Sequence, residues 1–146
     1  MRVYLDNCCY NRPYDDQSNF LIKIETECKM KIQNLIKQGE LDLVSSYILM
    51  LECDKNPHEP NRSLIIEFIK KYSKLHVSEN NYEIIENLAI PIKDTGVKNK
   101  DALHVASAIY AECDYFISTD RRLLKYSTEQ IKIVSPLKFF ETIEGV

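Results

Sequence analysis

The chain has 146 residues, 45% of them hydrophobic and 28% charged, which is globular usage and excludes a disordered or collagen-like polymer. At this size a fold buries roughly 68–70% of its unfolded surface, so neither disulfides nor a structural metal is needed to hold a core. With 19 basic and 22 acidic residues the net charge is −3, which argues against polyanion binding by bulk attraction and leaves open an enzyme that uses a metal ion or a local basic patch.

The first predicted element is a short strand over residues 2–5 that ends at Asp6. Residues 7–16, with Asn11, Pro13 and two aspartates, read as a loop. Ser18 or Asp16 then caps a long helix whose apolar positions Phe20, Leu21, Ile24, Cys28, Ile32, Leu35 and Ile36 keep a helical period, and Gly39 ends it. A second strand covers 41–44. Ser45 or Ser46 caps a short helix that carries Glu52 and stops before Pro57.

Pro60 suits the opening of another helix, with Leu64, Ile65, Phe68 and Ile69 on its face. A third strand is expected over 75–77, followed by a helix capped by Ser78 and a loop over 91–99. A helix starting near Lys100 or Asp101 buries Ala102, Val105, Ala106 and Ile109. Then come a fourth strand over 114–118, a short helix opened by Asp120, a fifth strand over 131–134 and a closing helix over 136–142. Strands alternating with helices imply an α/β fold with a parallel sheet and right-handed crossovers. No repeat, linker or low-complexity tract appears, so a single domain over 1–146 is expected.

The five cysteines form no Cys-x-x-Cys pair, which signals neither a disulfide framework nor a zinc ribbon; buried, reduced thiols are expected. The apolar run at the N-terminus breaks at Asp6, too early for a signal peptide, and the run 47–51 is far below the length of a membrane span. A cytoplasmic location without a membrane partner is the expectation.

Ligands of open parallel sheets bind beyond the carboxyl ends of the strands. Asp6 and Asp120 follow the first and fourth strands, and Asp101 and Glu52 lie on helices that start on the same side. Taken singly, Asp101 and Asp120 are ordinary helix-capping or first-turn acids, and Glu52 an ordinary surface residue. Gathered at one cleft, four unpaired carboxylates repel and raise one another's pKa, and a divalent cation removes that penalty. An all-oxygen set suits Mg²⁺ or Mn²⁺. His104, one turn after Asp101, reads as a core or surface histidine. There is no Gly-x-Ser-x-Gly elbow, no P-loop and no Gly-x-Gly-x-x-Gly, so nucleophile-elbow and phosphate-cradle chemistries are set aside.

Four blocks carry a family resemblance. They are Val-Tyr-Leu-Asp6, Leu-Met-Leu-Glu52, Lys-Asp101-Ala-Leu-His-Val-Ala-Ser-Ala, and Phe-Ile-Ser118-Thr119-Asp120-Arg-Arg-Leu-Leu. In this pattern the chain resembles the PIN-domain ribonucleases, including the toxins of bacterial toxin–antitoxin pairs. The resemblance implies a three-layer fold with a central parallel sheet of order 3-2-1-4-5 and helices on both faces. It implies a Mg²⁺- or Mn²⁺-dependent endoribonuclease with Asp6, Glu52, Asp101 and Asp120 as metal-binding catalytic acids. Asn7, Arg12, Lys100, Ser118 and Thr119 are expected to support the acids or hold RNA. Further expectations are a small antitoxin partner and a homodimer. The competing reading is a non-catalytic PIN-like protein that binds RNA or serves as a scaffold.

Overall fold

The computed structural model describes residues 1–145. Five parallel strands form one sheet: β1 (Arg2–Leu5), β2 (Asp42–Ser46), β3 (Ser73–Val77), β4 (Tyr115–Ile117) and β5 (Lys132–Val134). Their order is β3-β2-β1-β4-β5, as the resemblance implies. Seven helices join and flank them: α1 (Asn7–Asn11), α2 (Phe20–Lys37), α3 (Tyr47–Asp54), α4 (Asn61–Tyr72), α5 (Tyr82–Asp94), α6 (Asn99–Tyr110) and α7 (Pro136–Glu144). The strand order reverses direction between β1 and β4. Right-handed crossovers then put α1 to α4 on one face and α5 and α6 on the other. The C-terminal ends of β1 and β4 therefore bound the crevice where such sheets take ligands.

The central strand is wholly buried at Val3, Tyr4 and Leu5, so its side chains are apolar on both faces rather than alternating. Tyr4 and Phe116, register partners on β1 and β4, stack with ring centroids 5.2 Å apart. Also on β4, Tyr115 meets Phe139 of α7 edge-on at 5.0 Å.

Local chemistry explains the boundaries. Residues 7–16 are not a loop: Asp6 accepts from Asn7 N and starts α1, which buries Cys9 and Tyr10, and a single 3₁₀ turn follows over Arg12–Tyr14. Asn19, not Ser18 or Asp16, caps α2 by accepting from Ile22 N; Asp16 is occupied by the backbone N–H and hydroxyl of Ser18. Gly39, at φ +78°, closes α2 with Gly39 N bonded to Ile36 O and Glu40 N to Leu35 O.

Ser46 caps α3 through Leu49 N. The largest departure from expectation lies at Pro91, which sits inside α5 instead of opening a loop. The proline removes one helix hydrogen bond, but Ile85, Ala89 and Ile92 keep a buried stripe against α6, and this packing carries the helix on to Asp94. Ser78 precedes a 3₁₀ turn and does not cap α5. Asp120 opens only a 3₁₀ turn over Leu123–Lys125, not a helix. Among the described residues, no helix is long and apolar enough to cross a membrane.

Candidate metal and nucleic-acid site

Asp6 leaves β1 at its C-terminal end and is almost fully buried. Its two carboxylate oxygens point to different neighbours. Oδ1 accepts from Asn7 N at 2.8 Å, and Oδ2 accepts from the Ser118 hydroxyl at 2.8 Å. Ser118 follows β4, and its Oγ also accepts Asp120 N at 3.0 Å, so one hydroxyl links two of the predicted acids. Cys8 Sγ lies 3.5 Å from Asp6 Oδ2 and 3.4 Å from Ser118 Oγ, and it accepts from Thr119 N at 3.3 Å. Hydrogen bonds from Cys9, Ser118 and Thr119 bring the Cys8 thiol below its usual pKa, against the opposing pull of burial and Asp6.

Glu52, on the last turn of α3, and His104, on α6, meet through Oε1 and Nε2. Burial works to raise the Glu52 carboxyl, but His104, Lys100 and the Asn7 amide outweigh it and hold it below the ordinary range. Asp6, Glu52 and His104 each offer a ligand atom within 4.8 Å of the others. Asp101 lies in the first turn of α6, where the helix dipole favours an anion. Its carboxyl is nevertheless raised, chiefly by burial and then by the charges of Asp6 and Asp120, with Glu52 adding to them. This is the mutual repulsion expected of acids that share a cleft. Asp120 uses Oδ1 to accept from Arg122 N at 2.9 Å, so it caps the following turn as well as facing the acids.

The site opens into a cleft of about 800 Å³ whose lining includes Asp101 and Asp120 together with Lys98, Lys100, Arg122 and Lys125. Four cations and two acids therefore share one cleft. That combination suits a divalent cation at the acids and a phosphate backbone at the cations.

The predicted residues thus divide. Asp6, Ser118, Thr119 and Asp120 belong to one hydrogen-bonded array around Cys8. Asn7, Lys100 and Glu52 belong to a second, beside His104. Arg12 lies in neither: its guanidinium pairs with Asp15 at 2.9 Å and with the buried Glu25 at 3.1 Å, pinning the turn after α1 to α2. In sequence His104 reads as a core or surface histidine and Cys8 as one of the buried, reduced thiols; in the structure Cys8 is only partly buried. Their spacing from Asp101 and Asp6 was the available signal. Lys125 carried none, because it reaches the cleft only through the 3₁₀ turn.

Neither a protein-family model nor a curated protein sequence matches the chain. Solved structures do. The structure of VapBC2 from Rickettsia felis, bound to a promoter DNA fragment, superposes with TM-score 0.55 at 12% identity, over 91% of this chain and 97% of that one. The structure of FitAcB from Neisseria gonorrhoeae superposes with TM-score 0.55 at 15% identity, over 92% of this chain and 98% of that one. Together with the strand order, these likenesses identify a PIN-like fold.

Proposed function

We propose that this protein is a Mg²⁺- or Mn²⁺-dependent endoribonuclease and the toxin of a toxin–antitoxin pair. The observation that carries the reading is the convergence of acids from four separated segments beside a cleft lined by Lys98, Lys100, Arg122 and Lys125. Asp6, Glu52, Asp101 and Asp120 are the residues that would hold the ion. Their hard oxygen donors and the raised carboxyl of Asp101 fit a site that gains from a divalent charge. When bound, such an ion supplies Lewis-acid activation of water and neutralises charge at the phosphodiester.

The chain's own groups do the rest. Lys98, Lys100, Arg122 and Lys125 bind the RNA backbone along the cleft and bring a phosphate over the acids. Ser118 holds the Asp6 carboxylate from one side while Asn7 N holds it from the other, so its orientation is set before substrate arrives. Lys100 serves both sets, being in the cleft lining and beside Glu52. The likeness to the VapBC2 and FitAcB structures supports a small antitoxin partner.

The test is a titration of Mg²⁺ and Mn²⁺ against a labelled RNA with wild type and Asp6→Asn. Metal-dependent cleavage that disappears in the variant, with an unchanged circular dichroism spectrum, is expected. Equal cleavage by the variant overturns the assignment. Wild-type RNA binding without metal-dependent cleavage identifies a non-catalytic RNA-binding protein instead.

A further inference from the structure

We propose that Tyr4 and His104 form a buried relay that fixes the Glu52 carboxylate and so sets how tightly the acidic site holds a divalent cation. The cation half of this proposal rests on the metal-site reading above. His104 is fully buried, and both of its ring nitrogens are engaged. Nδ1 lies 2.6 Å from Tyr4 Oη, and Nε2 meets Glu52 Oε1. Neither nitrogen is left for an ion, so His104 is a positioning residue rather than a ligand. Metal-site carboxylates are commonly oriented by such outer partners.

Tyr4 joins this contact to the backbone of the helix that carries Glu52. Its Oη lies 2.6 Å from Ser46 Oγ, and Ser46 Oγ accepts from Leu49 N at 3.1 Å, capping α3. Glu52 is therefore held twice: α3 is fixed at its start by Ser46, and the carboxylate at its end by His104. Tyr4, on the strand that delivers Asp6, connects the two.

Counting hydrogens selects one arrangement. Ser46 donates to Tyr4, Tyr4 donates to Nδ1, and Nε2–H donates to the Glu52 carboxylate. Each hydroxyl and ring donor is then used once. A neutral ring protonated at Nδ1 sets a bare Nε2 lone pair against a carboxylate, two acceptors facing each other. A cationic ring places a full charge in the core. The neutral Nε2–H tautomer is thus the state the relay requires.

Tyr4→Phe is the clean probe. The ring stays stacked on Phe116, and only the hydroxyl is lost. Two measurements decide. Long-range ¹H–¹⁵N NMR on the metal-free wild type is expected to show His104 as the Nε2–H tautomer, and in Tyr4→Phe a mixture of tautomers. Mn²⁺ titration followed by electron paramagnetic resonance is expected to show about tenfold weaker binding in Tyr4→Phe. In a Glu52→Gln background the same change is expected to have no effect on Mn²⁺ affinity.

An Nδ1–H tautomer or a cationic ring in the wild type overturns the relay. So does unchanged Mn²⁺ affinity in Tyr4→Phe, or the same loss in the Glu52→Gln background, which marks a purely structural role. Nitrogen hyperfine coupling from His104 to bound Mn²⁺ also overturns it, because the ring is then a ligand. A wild type that binds no Mn²⁺ overturns the metal-site reading and the cation half of the proposal, and the tautomer still decides the relay.

Discussion

The Ser118 hydroxyl donates to Asp6 Oδ2 across 2.8 Å and at the same time accepts Asp120 N at 3.0 Å. One small side chain therefore joins the ends of β1 and β4 and aligns two acids that lie far apart in sequence. Ser118 is fully buried, so Ser118→Ala strands a carboxylate oxygen and a backbone N–H together. The expected loss is about 2 kcal/mol, within the range for buried hydrogen bonds to charged groups. Urea denaturation measures it. A parallel fall in metal-dependent cleavage is expected, since the Asp6 carboxylate is then held only from the Asn7 side.

The two groups of arginines and lysines are expected to separate cleanly in RNA binding. Lys100→Ala and Arg122→Ala weaken RNA affinity and each lower the slope of log K against log salt by about 1. Arg12→Ala leaves both affinity and slope unchanged, because its charge is taken up by Asp15 and Glu25. It lowers thermal stability instead, as the buried Glu25 loses its partner. Fluorescence anisotropy at several salt concentrations, beside a melting curve, checks both statements.

Asp101 predicts a competition between protons and metal. Its carboxyl is raised by burial and by Asp6 and Asp120. A carboxyl whose folded-state pKa lies above its unfolded value binds its proton more tightly in the folded protein. Metal-free stability at this position therefore falls as pH rises through that range. Asp101→Asn is expected to raise the melting temperature of the metal-free protein at neutral pH while weakening Mn²⁺ binding. In the wild type Mn²⁺ affinity is expected to rise with pH and binding to release protons, which calorimetry in two buffers reads directly.

Lys29 on α2 is a cost the fold carries. It is 5% exposed, lies over the Tyr10 ring at 5.6 Å, and burial brings its pKa from 10.5 to about 8. Between those values the unfolded chain holds a proton that the folded chain has lost, so stability rises with pH across that window. The displacement corresponds to about 3 kcal/mol against the charged form below pH 8. Lys29→Met is expected to raise stability at pH 7 by a fraction of that amount, and to flatten the rise between pH 8 and 10 in denaturation curves.

Much of this architecture is legible in the residues themselves. The five strands follow from apolar runs, and their order follows from the resemblance that the four acidic blocks carry, since each acid sits where a strand or helix ends or begins. What escaped detection involves competition between local chemistry and packing. Asn7 to Asn11 carries turn-forming asparagines, yet burial of Cys9 and Tyr10 makes it a helix. Pro91 is a helix breaker by its own chemistry, yet the stripe shared with α6 carries the helix past it. His104 is indistinguishable from a core histidine in sequence, since its role arises from Glu52, 52 residues away. Arg12 lies near Asp6 along the chain, and its actual partner, Glu25, is visible only in three dimensions.

β1 is the middle strand of the sheet, but its neighbour β4 enters the chain more than a hundred residues later; the Ser118–Asp6 bond spans 112 positions. Contacts of such sequence separation slow folding, because loop-closure entropy is lost before they form. As the chain emerges from the ribosome, Asp6 has no hydroxyl to meet and Glu52 no imidazole until α6 and β4 are made. A chain synthesised only as far as β3 therefore lacks the assembled acidic cluster, and whatever chemistry that cluster performs waits for α6 and β4.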